Sequence, residues 1–134
     1  MSSSRPGILG PKILIADDEE AICFVLSRRA RVLGLQPLVA ADGQAARQLF
    51  EVEEDIEAAL LVWLMPRFDG LQLAERIHTH KPELPLSIMT AFDTRLPAEA
   101  TARFTVLAKP FDLDAFDELL TAWGLVPAQR SAAG

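Results

Sequence analysis

Apolar positions along this chain fall into short unbroken runs, separated by stretches in which they recur at helical spacing. Ala58 to Leu64 is seven apolar residues without alternation. A run of that kind reads as a strand covered on both faces, as in the centre of a parallel sheet. Met65-Pro66 stops it, and Asp69-Gly70 reads as a loop ending in a cap for a helix carrying Leu71, Ala74 and Ile77. Lys12 to Ala16 is a second continuous run, ending in Asp17-Asp18-Glu19-Glu20, acids that suit the first turn of a helix. That helix places Ile22, Val25, Leu26, Val32 and Leu33 on one stripe and stops at Gly34. Leu35 to Ala40 is a strand whose Pro37 argues for a sheet edge, because proline cannot donate to a ladder. Asp42-Gly43 opens a helix with Ala45, Ala46, Leu49 and Phe50 inward. Pro85 to Met89 and Phe104 to Ala108 are two further strands, with a weak helix over 93–102 that has Pro97 in its first turn. Asp112 caps a last helix with Leu113, Phe116, Leu119, Leu120 and Trp123 inward and Gly124 as its stop.

Five strands alternating with five helices predict an α/β fold, a parallel sheet with helices on both faces and right-handed crossovers. The chain divides into a flexible N-terminal tail over 1–11, one domain over 12–124, and a C-terminal tail or linker over 125–134. Its 134 residues are enough for one real core.

Composition narrows the function classes. Net charge is −6, which argues against nucleic acid or an anionic membrane as a direct partner. Cys23 is the single cysteine, so it has no internal disulfide partner and fits a reducing, cytoplasmic setting. No apolar run reaches the ~18 residues of a membrane span, and no secretory signal opens the chain. Glu51, Glu53, Glu54, Asp55 and Glu57 read as a solvated helix end. His78 and His80, two residues apart, do not share a helix face, so they read as cations at a helix carboxyl end rather than metal ligands.

In open α/β sheets ligands bind outside the carboxyl ends of the strands. The residues predicted there are Asp17 and Asp18, Val62, Thr90 and Lys109. Two adjacent carboxylates can hold Mg²⁺, and a hydroxyl with an ammonium can grip phosphoryl oxygens. The residue facing them from the middle strand is the one open to modification, and Val62 is a hydrocarbon.

These pieces resemble a two-component response-regulator receiver domain. The matching residues are Ile15-Ala16-Asp17-Asp18-Glu19, Ala41-Asp42-Gly43, Leu64-Met65-Pro66 with Asp69-Gly70, Thr90-Ala91 and Lys109-Pro110-Phe111. The resemblance implies a flavodoxin-like (βα)5 fold with strand order 2-1-3-4-5 and a cis Lys109-Pro110 bond. It implies that Asp17, Asp18 and the backbone carbonyl of Leu64 match the Mg²⁺ site. Thr90 and Lys109 match the groups that sense phosphate. The aspartate that accepts phosphate from a histidine kinase falls at position 62. No carboxylate stands anywhere in 58–65, so no shift of register supplies one.

Two further departures accompany Val62. Val106 stands where the family usually has Tyr or Phe, and the segment between Thr90 and Lys109 is about three residues shorter than usual. The expectation is therefore a divergent pseudo-receiver, not an enzyme, that signals by binding proteins without aspartyl phosphorylation. Its Mg²⁺ affinity should be at most weak, with Asp17, Asp18 and Lys109 forming a structural ion-pair network instead. Expected partners are a histidine kinase, a downstream effector or a second copy of the chain. The alternative is an ordinary Mg²⁺-dependent phospho-accepting receiver of a phosphorelay whose acceptor was substituted. A phosphatase with its nucleophile after the first strand needs Asp-x-Asp, which Asp17-Asp18-Glu19 does not match. A flavin site lacks a Ser/Thr-rich phosphate loop.

Overall fold

The computed structural model describes residues 10–65, 68–91 and 96–126. Five long strands form one parallel sheet: β1 (Lys12–Ala16), β2 (Gln36–Ala40), β3 (Ile56–Val62), β6 (Leu86–Ala91) and β7 (Thr105–Lys109). Their spatial order is β2-β1-β3-β6-β7. Counting the long strands alone, this is the flavodoxin-like order 2-1-3-4-5. The unbroken apolar runs are the three central strands. Ile13 to Ala16, Ala58 to Leu61, Ile88 and Met89 are fully buried, because helices cover both faces of the sheet. Pro37 lies in β2, an edge strand, and pairs with Ile13.

The helices are α1 (Glu20–Val32), α2 (Gly43–Val52), α3 (Gly70–His80), α4 (Ala98–Arg103) and α5 (Leu113–Ala122). α1 contacts α5 and α2 contacts α3. A two-toothed salt bridge from Arg29 to Asp117 ties α1 to α5. Asp42 and Asp112 cap α2 and α5, each carboxylate accepting a backbone N–H three residues on. Gly34 and Gly124 have positive φ and end α1 and α5 as the sequence suggests.

Several expectations are corrected. Val25 and Val32, assigned to the inner stripe of α1, are exposed; the buried face is Cys23, Leu26, Ser27 and Ala30. Leu113, also expected inside, is exposed at the start of α5. Pro97 precedes α4 as its N-cap residue rather than lying in its first turn. The expected start of that helix at Asp93 lies outside the described residues. Beyond Val62 the chain does not run straight into a loop. It makes a two-residue antiparallel ladder, β4 (Leu64–Met65) with β5 (Phe68–Asp69), just before α3. Packing continues past Gly124, with Leu125 half-buried and Val126 buried against the core. Residues 1–9 and 127–134 lie outside the described residues.

Candidate functional site

Parallel pairing carries the predicted residues to one rim of the sheet. Ala16 pairs with Leu61, which puts Asp17 one step further on beside Val62. Val62 pairs with Met89, and Thr90 follows it. Ala91 pairs with Lys109, the last residue of β7. The five positions Asp17, Asp18, Val62, Thr90 and Lys109 thus stand at the carboxyl ends of β1, β3, β6 and β7.

Asp17 is fully buried, a costly place for a carboxylate. Its Oδ1 accepts the backbone N–H of Glu19 at 2.9 Å, and its Oδ2 lies 2.7 Å from Lys109 Nζ. Burial pushes the Asp17 pKa above the usual carboxylate value; the lysine and the Glu19 N–H pull against that without cancelling it. The same lysine donates to Glu19 Oε1 at 2.6 Å. Burial draws the Lys109 pKa down, but its bonds to Asp17 and Glu19, with their charges, outweigh this and leave it raised.

Glu19 is the residue that sequence reasoning missed. It occupies the N-cap position of α1, yet its side chain makes no cap hydrogen bond and reaches across to Lys109 instead. The expected network of Asp17, Asp18 and Lys109 is corrected accordingly. Asp18 is exposed and forms no ion pair with the described residues, and Glu19 takes its place. The only signal was the four-acid run itself, which reads equally well as a charged first turn. Cys23 supports the same loop, its thiol donating to the Asp17 carbonyl at 3.1 Å.

Thr90 is buried, and among the described residues its hydroxyl has no hydrogen-bond partner. This suits a group placed for an incoming acceptor oxygen. Val62 is buried at the last position of β3 and offers none. Its carbonyl is pressed against Gly70, the first residue of α3. Trp63 follows β3, its N–H donating to the Met89 carbonyl of β6 and its own carbonyl accepting from the Gly70 N–H. Leu64, the expected source of a metal-binding carbonyl, is paired with Asp69 in the short ladder. Val106 is half-buried in β7 opposite Ile88, and the Lys109-Pro110 bond is cis.

Mg²⁺, which the resemblance implies, needs several oxygen ligands at about 2.1 Å. The residues here do not fit it. Both Asp17 oxygens are engaged, and Val62 brings no oxygen to the cluster. Among the described residues no group of three or more His, Cys, Asp or Glu is arranged to hold a metal. His78 and His80 also stay apart. His78 packs edge-on against Phe104, and His80 is edge-on to Phe50 with its Nδ1 at the Arg76 carbonyl. No helix among the described residues is long and apolar enough to cross a membrane.

Comparison with known proteins agrees with this geometry. The family model for the response regulator receiver domain matches residues 13–121. The regulatory protein AtoC of Escherichia coli (strain K12) is 32% identical over 107 residues, which are 77% of this chain and 23% of AtoC. Sporulation initiation phosphotransferase F of Bacillus subtilis (strain 168) is 30% identical over 110 residues, 80% of this chain and 88% of that protein. Against AtoC and three other regulators the chain spans only between 23% and 46% of the relative's length. The response regulator TrrA of Thermotoga maritima, solved in complex with Mg²⁺-BeF, superposes with a TM-score of 0.75 at 24% identity, covering 84% of this chain and 98% of that one. At that identity the likeness speaks for the fold. The family model's span and the rim of the sheet lead to one assignment: this chain belongs to the response regulator receiver domain family.

Proposed function

We propose that this receiver domain signals through protein–protein contact without accepting a phosphoryl group. Receiver domains are signalling modules of two-component systems. One observation supports a silent variant: Val62, buried at the tip of β3 between the loop after β1 and the end of β6, has no nucleophilic oxygen. The occupied lysine and the unsuited metal cluster agree with it. No catalytic residue is assigned. The partner is a histidine kinase or a downstream effector, in the cytoplasm, and self-association is the third option; the receiver of NtrC4 is one solved as a dimer.

The test is incubation with acetyl phosphate and MgCl2, read by intact mass. The expected result is no phosphate adduct on the chain as written. A stoichiometric adduct would overturn the proposal, and peptide mapping would then locate the acceptor. The second reading is an ordinary Mg²⁺-dependent acceptor that has been substituted or displaced, and the buried Thr90 hydroxyl, without a hydrogen-bond partner among the described residues, is the observation in its favour. A Val62→Asp variant that takes phosphate and then changes its partner binding would support that second reading.

A further inference from the structure

The cation of this rim is part of the chain. We infer that the Lys109 ammonium serves as the resident counter-ion of the 17–19 segment, so that the rim is set without a divalent metal. The inference rests on the silent-receiver reading and adds how such a rim is regulated: it does not respond to Mg²⁺.

Three features carry it. The first is geometry. One ammonium lies 2.7 Å from Asp17 Oδ2 and 2.6 Å from Glu19 Oε1, closing a span of ninety residues between β1 and β7. The second is what the carboxylates give up. Asp17 Oδ1 is taken by the Glu19 N–H, and Glu19 forgoes capping its own helix to reach the lysine. The third is access. Lys109 is mostly withdrawn from solvent, its side chain 16% exposed, beside an Asp17 side chain at 0%. A tethered ammonium acts at an effective concentration in the millimolar range or above, and it pays no dehydration cost like that of Mg²⁺. An ion from solution must displace it from Asp17 and still finds no third carboxylate at position 62.

The arrangement also fixes where the two loops sit. The loop after β1 and the turn into α5 are joined by Lys109, while the Asp17 backbone is held by its N–H to Ala40 and by the Cys23 thiol. The result is one preset rim geometry for a partner to read.

Trp63, half-buried at the edge of this rim, supplies the probe. The experiment is a MgCl2 titration at constant ionic strength, following emission in a Trp123→Phe background so that Trp63 alone reports. The wild-type rim should give no saturable change through the low millimolar range. Lys109→Gln should gain a saturable response there, because Asp17 and Glu19 lose their built-in cation. Lys109→Arg, which keeps the charge, should stay silent. A saturable millimolar response of the wild-type rim would overturn the inference. So would a Lys109→Gln protein with native circular dichroism and no gain. If that variant does not fold, calorimetric titration of the unsubstituted chain with MgCl2 decides alone: heat saturating at millimolar metal overturns the inference, and its absence supports it. A chain that binds Mg²⁺ but takes no phosphate from acetyl phosphate would sink this inference and leave the proposed function standing.

Discussion

Gly70 shows how little room surrounds the rim. A Cβ built on it would lie 2.0 Å from the Val62 carbonyl oxygen and 3.0 Å from that of Trp63. Its N–H donates to the Trp63 carbonyl at 2.6 Å, so the start of α3 is clamped onto the end of β3. The added Cβ would meet backbone atoms, so no rotamer change relieves the clash. Gly70→Ala should therefore destabilise the fold by about 3 kcal/mol, the upper end for overpacking, read as a lower urea midpoint with an unchanged m-value. The sequence made Asp69-Gly70 legible as a turn into a helix, yet the reason for glycine there is the approach of another segment. Asp17, Val62, Thr90 and Lys109 were legible in the same way, from their places at strand ends. Glu19 was not. Four neighbouring acids look alike in sequence, and only the approach of the β7 end to the β1 end decides which of them meet the lysine.

At the scale of elements, caps were easier to read than faces. Asp42 and Asp112 each precede a helix and each accepts from the backbone three residues on, at 2.8 and 3.0 Å. The chemistry is local, so it shows in the local sequence. Asp112→Ala should cost roughly 1 kcal/mol by urea unfolding, with Asp112→Asn recovering most of it, since either side chain can accept the N–H. The inner face of α1 depends instead on what packs against it. Cys23, Leu26, Ser27 and Ala30 lie at i, i+3, i+4 and i+7 and go inside, while the larger apolar Val25 and Val32 stay out. Ser27 can go inside because its hydroxyl is satisfied by the Phe24 carbonyl at 3.1 Å. Apolarity alone ranks Val above Ser and so adds Val25 and Val32 to a stripe of which Leu26 is buried and Ile22 and Leu33 pack against the core. The ladder of β4 with β5 is too short to leave a pattern in the sequence.

Over the whole molecule, the distribution of protons follows from burial and pairing on an acidic chain of net charge −6. The hydrogen bond from Lys12 to Glu53 raises the Lys12 pKa against a small burial cost, and the acids around Glu53 add to it. Lys109 is raised because Asp17 and Glu19 outweigh its burial. Burial, with the Asp17 charge, pushes the Cys23 thiol up. In all three the folded chain binds its proton more firmly than the unfolded chain does. Stability contributed by such groups is complete below their ordinary values, 9.0 for the thiol and 10.5 for the lysines, and is lost as pH rises through the folded values. Losing the lysine charges also leaves the acids of the rim and of the α2 end facing one another unpaired. The urea midpoint should therefore fall between about pH 8 and about pH 12, through the thiol once pH passes 9.0 and through the lysines only beyond 10.5. Lys12→Met isolates one contribution. Its half-exposed pair should be worth roughly 0.5 kcal/mol, so the variant should start slightly lower at the milder pH and fall less on the way up. Parallel unfolding curves of the two proteins at both pH values check this. An equal fall in both would mean that the Lys12–Glu53 link takes no part, and would leave the loss of stability to the Lys109 clasp and the buried thiol.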